Sequence, residues 1–419
     1  MKSFIFQIQR TALLTVLSAG ILVSCNKKLP DAIPIVTTPP TGSTIFETIR
    51  SGGATYSYLD SAIARASGFN NPAGRLDALL KDNTAIFTLF APDNNAFQRS
   101  FQLLGLPIDV STLKLFSAGR LDSILRYHLI GGLRFPTQSF PSSFPFSLYL
   151  QSNLILQAPS ASLPPGYRMP VFPGKLGNTA FANNVPIVQA DLAASNGILH
   201  RTSLLLLPPT RVLWERIATD PDMTYLKAAV EKGDQGDAAK TLETALRNPA
   251  ANLTVMAPTN LAFQQLLTGQ ITLALIGMGV DPQIAAGQAA ALASTPAVFN
   301  HPALANVLTP TLVKGIVVYH LLAEKYNNVY QGIRAFTVNM PTTDTPSLTL
   351  LNSAIPPHPG VTLKATFGFS GIIAATAKGV GNPIASNIQI NPTPEPAGTS
   401  DQHYVNGTLH KIDQVLLPQ

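Results

Sequence analysis

Four of the chain's seven histidines stand at recurring places, His128 with His320 and His200 with His410. Tyr127 and Tyr319 directly precede the first pair, and Asp191 and Asp401 stand nine residues before the second. Imidazole beside carboxylate is the material of a metal centre or a general base, because neutral imidazole offers a lone pair near neutral pH. A metal also needs further ligands at bonding distance, and no Cys or carboxylate pattern surrounds these histidines. Buried imidazoles bonded to backbone are therefore the expectation. Tyr127 and Tyr319 read as core side chains with satisfied hydroxyls, and Asp191 and Asp401 as Asx-type turns or caps. The competing role for Tyr127, His128, Asp191, Tyr319, His320 and Asp401 is contact with a partner.

Motifs for other chemistry are incomplete or missing in the sequence. Gly368-Phe369-Ser370-Gly371 lacks the second glycine of a nucleophile elbow, since Ile372 follows. Gly277-Met278-Gly279 does not extend into a dinucleotide fingerprint, and no phosphate-binding loop is present. No catalytic residue, cofactor or metal site is predicted.

The remaining reactive group is the one cysteine, Cys25. Lys2 and Arg10 precede an apolar run, Ala12–Val23, too short for a comfortable membrane span. That run ends in Leu22-Val23-Ser24-Cys25, which resembles the lipobox of bacterial lipoproteins. The resemblance implies cleavage before Cys25 and acylation of its thiol and freed amine. Residues 1–24 are then a lipoprotein signal peptide. The Pro- and Thr-rich residues 25–42 are an extended tether from a lipid anchor, reaching roughly 50 Å at ~3 Å per residue.

The elements that must position the paired residues are themselves paired. Phe87–Phe97 (FTLFAPDNNAF) recurs as Leu253–Phe263 (LTVMAPTNLAF), 166 positions later, with six of eleven residues identical. Each copy reads as a strand, an Ala-Pro break, a polar helix cap and a helix start. Arg126–Leu129 recurs as Val318–Leu321, and Asn196–His200 as Asn406–His410. Phe46 matches Trp214, so core packing rather than sugar stacking is expected of the only tryptophan. The landmarks keep their order, and a period this long implies tandem domains rather than solenoid units. The expected bounds are 43–208 and 209–419. Helices are expected at Tyr56–Ala66 and at Leu121–His128, the latter stopped by Gly131-Gly132, with strands and turns between Phe135 and Asn196. The Asn196-Gly197 and Asn406-Gly407 pairs read as turns in which Asn or Gly takes positive φ. The second copy is longer: Phe263 to Tyr319 spans 56 positions against 30 from Phe97 to Tyr127. This Ala-rich insertion around Gln270–Pro310 predicts added helix packed on the body.

Composition agrees with a packed globular protein. The hydrophobic fraction is 46% and the net charge only +6, with no Lys/Arg run to track a phosphate backbone, so nucleic acid is excluded as a partner.

Together the three ordered boxes, present twice, resemble the fasciclin domain family. Asn406-Gly407-Thr408-Leu409-His410-Lys411-Ile412-Asp413 matches the family's final box closely, whereas the first copy has Thr202-Ser203 where Ile-Asp would stand. The resemblance implies an α+β fold of two tandem fasciclin-like domains, each a β-sandwich or wedge with packed α-helices. It also implies a non-enzymatic adhesion or ligand-binding role. In animal members the Tyr-His region and an Asp-Ile before the final box contact integrins. The matching positions are Tyr127-His128, Tyr319-His320, Asp191-Leu192 and Asp401-Gln402. The expected protein is a cell-envelope lipoprotein anchored at the outer membrane, facing the periplasm or the outside. Its expected ligand is a polysaccharide or an extracellular-matrix-like protein. The alternatives are an accessory glycan-binding component of a polysaccharide-uptake system and a hydrolase with an unrecognised site.

Overall fold

The FTLFAP segment forms the first strand among the described residues, β1 (Phe87–Pro92), and every residue in it is buried. Alternate side chains of a strand point to opposite faces, so β1 serves two cores. Leu89 packs with the helices, while Phe90 joins Tyr127, Met169 and Val171 in a second cluster enclosed by strands. The second copy repeats this division, with Val255 in a helix-lined core and Met256 in a strand-lined one.

The computed structural model describes residues 42–144, 148–156, 166–368 and 371–419, and 42–419 cluster as one compact unit. Cys25 and the tether lie outside the described residues. In the first half, helices α1 (Ile45–Ser51), α2 (Ser57–Ala66) and α3 (Leu76–Lys81) precede β1. A capping box between Thr44 and Glu47 opens α1. After β1 come α4 (Asn94–Leu103) and α5 (Ala118–Tyr127). The Asp93 carboxylate caps α4 by accepting from the Ala96 N–H at 2.8 Å. Phe97, one turn in, is 1% exposed. Its truncation to Ala costs about 3–5 kcal/mol by analogy with other core phenylalanines. The strands are β2 (Leu129–Gly131), β3 (Leu150–Ile155), β4 (Arg168–Val171), β5 (Pro173–Leu176), β6 (Thr179–Ala182), β7 (Val185–Ala194) and β8 (Gly197–Thr202). They order as β4-β3-β2-β1-β8-β7-β6-β5, with β1 parallel to β8 and antiparallel to β2.

The second half begins with α6 (Leu213–Thr219), α7 (Thr224–Gly233), α8 (Thr241–Arg247) and β9 (Leu253–Pro258). The insertion follows as α9 (Asn260–Gly277) and α10 (Pro282–Leu292), and then comes α11 (Pro310–Tyr319). The expected added helix is present. Its base packs on the body through Leu267 and Ile271, while α10 lies against α9. The strands are β10 (Leu322–Tyr326), β11 (Val329–Gly332), β12 (Thr345–Thr349), β13 (Val361–Gly368), β14 (Gly371–Lys378), β15 (Ser386–Ile388), β16 (Gln402–Tyr404) and β17 (Gly407–Ile412). β9 runs parallel to β17 in the register of β1 on β8: Phe87 faces Gly197 as Leu253 faces Gly407. Thus the two halves share one plan of helices over a mixed sheet. Trp214 is 3% exposed in the second core, as expected from its match to Phe46.

Two local expectations are corrected. The helix before Tyr127 is not stopped by Gly131-Gly132. It ends at His128, and the chain turns directly into β2. The Asn-Gly pairs do not take positive φ. Gly197 is needed because a Cβ there would run into the Phe87 carbonyl oxygen, and Gly407 meets Leu253 in the same way. Asn196 is a clamp: its Oδ1 accepts from the Ile45 N–H and its Nδ2 donates to the Leu80 and Asp82 carbonyls. Asn406 does the same for Leu213 and Leu246.

Candidate functional site

Strand β8 carries His200 into the interior, and the bulged end of β7 brings Asp191 beside it. Asp191 sits in the left-handed region at φ 60°, a conformation that aspartate tolerates better than most residues. Its backbone N–H donates to His200 Nδ1 at 3.2 Å, so the ring proton is on Nε2, which donates to the Phe135 carbonyl at 2.9 Å. The carboxylate accepts from the Thr137 N–H at 2.9 Å and from its hydroxyl at 2.5 Å. Asp401, at φ 54°, makes the same set with His410 (3.2 Å), the Thr337 N–H (2.6 Å) and hydroxyl (2.5 Å). His410 Nε2 reaches the Ala335 carbonyl at 3.1 Å.

The composition is that of a hydroxyl–imidazole–carboxylate triad, but the wiring is different. Each threonine hydroxyl donates to the aspartate instead of to histidine, and both ring nitrogens are occupied by backbone. No free nitrogen remains to take a proton from a nucleophile. Burial holds both imidazoles below the usual range, opposed by the carbonyl bond and the aspartate. Partial burial raises the Asp191 carboxyl, but the two Thr137 bonds, together with His200 and Lys175, bring the group below its ordinary value.

His128 and His320 are staples between a helix end and the last segment of each half. His128 Nδ1 donates to the Ile124 carbonyl at 2.8 Å, and Nε2 accepts from the Leu206 N–H at 2.9 Å. His320 does the same with Ile316 and Leu416. Burial pulls both down to about 4. The Tyr127 hydroxyl donates to the Pro170 carbonyl and accepts from Asn183, while that of Tyr319 donates to the Gly360 carbonyl and accepts from the Val380 N–H. Tyr127, His128, Tyr319, His320 and Asp401 are all buried, whereas the Asp191 side chain is 40% exposed. Among the described residues no group of three His, Cys, Asp or Glu side chains could hold a metal ion.

A further pair escaped the sequence reading. Arg134 and Arg334 stand three residues before the two threonines, in Leu133-Arg134-Phe135-Pro136-Thr137 and Ile333-Arg334-Ala335-Phe336-Thr337. The shared Arg-x-x-Thr at an offset of 200 was the available signal. The repeated threonine of the first box holds each segment: Thr88 Oγ1 bridges Leu133 and Phe135, and Thr254 Oγ1 bridges Ile333 and Ala335. Arg134 donates to the Ser195 carbonyl and is half-buried. Arg334 is 2% exposed and donates to Asn252 Oδ1, to His403 Nε2 at 2.8 Å and to the Tyr404 and Val405 carbonyls. Its guanidinium faces the Phe172 ring of the first half at 4.9 Å. No carboxylate is among the groups that act on it within the described residues, and burial lowers the guanidinium to about 10. Phe172 also meets Phe336, and Phe144 packs on the strand-lined core of the second half. The halves therefore touch through Phe172 and β5 of the first and the 333–340 segment of the second.

Residues 68–208 match the family model described as Fasciclin domain. A solved FAS1 domain pair from the insect cell adhesion molecule fasciclin I aligns over 89% of this chain and 95% of its own, at 14% identity. Its TM-score is 0.31, at which the overlay carries no argument. No curated protein matches the chain. What repeats the plan in the second half is this molecule's own geometry: the parallel β9–β17 pair, the His320 staple and the Thr337–Asp401–His410 cluster. Residues 68–208 are thus similar to a fasciclin domain, and the second half repeats the plan of that region.

Proposed function

We propose that the chain is a lipid-anchored cell-envelope module for adhesion or ligand binding, without enzymatic activity. The observation that carries this reading is the fasciclin match at 68–208, because fasciclin domains serve in cell adhesion. The internal use of every ring nitrogen in the repeated histidines supports a non-enzymatic role. The ligand class is a polysaccharide or a matrix-like protein, met by a surface of the first half that includes Asp191. Cys25 supplies the anchor, at the outer membrane.

Arrays of glycans and matrix proteins probed with the compact 42–419 unit test the ligand reading. Selective binding weakened by Asp191→Ala is the expected result, and uniformly blank arrays at high micromolar protein count against it. For the anchor, Cys25→Ala is expected to abolish acyl labelling and membrane fractionation. Unchanged labelling would sink the assignment.

A further inference from the structure

Between Arg247 and Lys314 the chain holds one Asp, Glu, Lys or Arg, namely Asp281. This stretch builds the α9–α10 hairpin, which the first half lacks. The base of the hairpin is anchored by Phe263, Leu267 and Ile271, and Ala285 and Ala289 of α10 are also buried. Beyond Ile271 only Leu275 of α9 still packs on the core, while the apolar sequence continues on the outer side. Leu273 is 65% exposed, Ile276 39%, Met278 74% and Ile284 57%. Asp281 is occupied in capping α10, accepting from the Gln283 and Ile284 N–H groups. A soluble helix ordinarily hides one apolar stripe and shows a polar face to water. Here the apolar side chains gather at the tip and face outward.

We infer that this tip is a membrane contact, dipping into the interfacial layer of the bilayer that holds the N-terminus. The inference rests on the Cys25 anchor proposed above. Seventeen residues from Cys25 to Gly42 keep the folded unit within roughly 50 Å of the lipid. The bilayer is then the apolar phase at the highest local concentration. A protein partner of stated register would be expected to find charges at the rim, and this tip presents none beyond the capped Asp281. The dimensions agree: Ile271 to Gly277 is about 9 Å of helix, against the roughly 5–10 Å to which interfacial helices bury. No described helix is long and apolar enough to cross a membrane, so the tip enters without spanning. The tether's length limits distance, and a second contact fixes which side of the protein faces the lipid.

Tryptophan quenching reads this directly, because the one native tryptophan, Trp214, is 3% exposed and serves as an internal control. The full chain carrying Met278→Trp is placed on vesicles of phosphatidylethanolamine and phosphatidylglycerol with brominated acyl chains. The expected result is about twofold quenching relative to unbrominated lipid, absent in the unsubstituted chain. Flotation with the vesicles but quenching only by aqueous acrylamide overturns the tip contact and leaves the anchor standing. Protection from both quenchers points to a protein cover and also overturns it. A chain that does not float removes the anchor and the tip contact together.

Discussion

Asp191 and Asp401 make the same bonds in the same left-handed conformation, yet one side chain is 40% exposed and the other 2%. The difference does not arise within the cluster. In the second half the segment carrying Arg334, Phe336 and Thr337 lies under Phe172 and β5 of the first, and its residues are buried almost throughout. The equivalent segment of the first half, Leu133–Ser139, is exposed or half-buried. Chain-local chemistry thus fixes the geometry of the cluster, while the neighbour decides whether it meets solvent. Two copies of one arrangement can therefore differ in what they offer a partner without any change in bonding.

The largest expected effect tests what the halves share. His128 and His320 titrate near 4 when folded and near 6.5 when unfolded. Between those values the unfolded chain binds more protons, so stability falls as pH drops from about 6.5 to 4. The loss is on the order of 3 kcal/mol per histidine. Urea midpoints at pH 7 and pH 4.5 check this, with Trp214 fluorescence reporting the second half and circular dichroism reporting both. A loss confined to one probe would break the equivalence of the two staples. Next in size is a pair of substitutions. Arg334→Ala leaves buried carbonyls and Asn252 without a donor and removes the Phe172 contact, and should cost about 3–4 kcal/mol. Arg134→Ala, at a half-buried site with one carbonyl partner, should cost under about 1 kcal/mol. The two optical transitions should also separate in Arg334→Ala alone. The smallest contrast compares the aspartates. Asp401→Ala strands the Thr337 N–H and hydroxyl in a buried site, at about 3 kcal/mol. Asp191→Ala should cost about 1 kcal/mol, since water can reach its partners. Equal losses in urea titrations would mean that the exposure difference has no energetic weight.

Much of the fold was legible because it is local. The alternation in FTLFAP, its Ala-Pro break and the cap at Asp93 dictate strand, corner and helix within eleven residues, and duplication made the pattern doubly visible. The pairing of β1 with β8 was not, because it joins segments more than a hundred residues apart and leaves no periodic trace. The Arg-x-x-Thr segments were hidden for another reason: Phe135-Pro136 and Ala335-Phe336 differ, and an isolated arginine reads as a solvated surface charge. The Asn-Gly pairs misled because a turn signal and a crowding requirement select the same residues. At Gly197 crowding decides, and Asn196 works through its side chain. For the candidate site, the sequence marked both histidine pairs and both aspartates, while their threonine partners emerged only from the geometry.

The contact between the halves joins unlike faces, and so it has a direction. The first half contributes Phe172, two residues after the carbonyl that takes the Tyr127 hydroxyl, and the corresponding residue in the second half is Thr362. Exchanging the order of the halves would set a threonine where an aromatic ring must cover a guanidinium. Descent from a duplicated ancestor has therefore not left two interchangeable cassettes. The order in which they are strung has become part of the inherited information, and recombination that reshuffled them would yield a chain with every box intact and its seam undone.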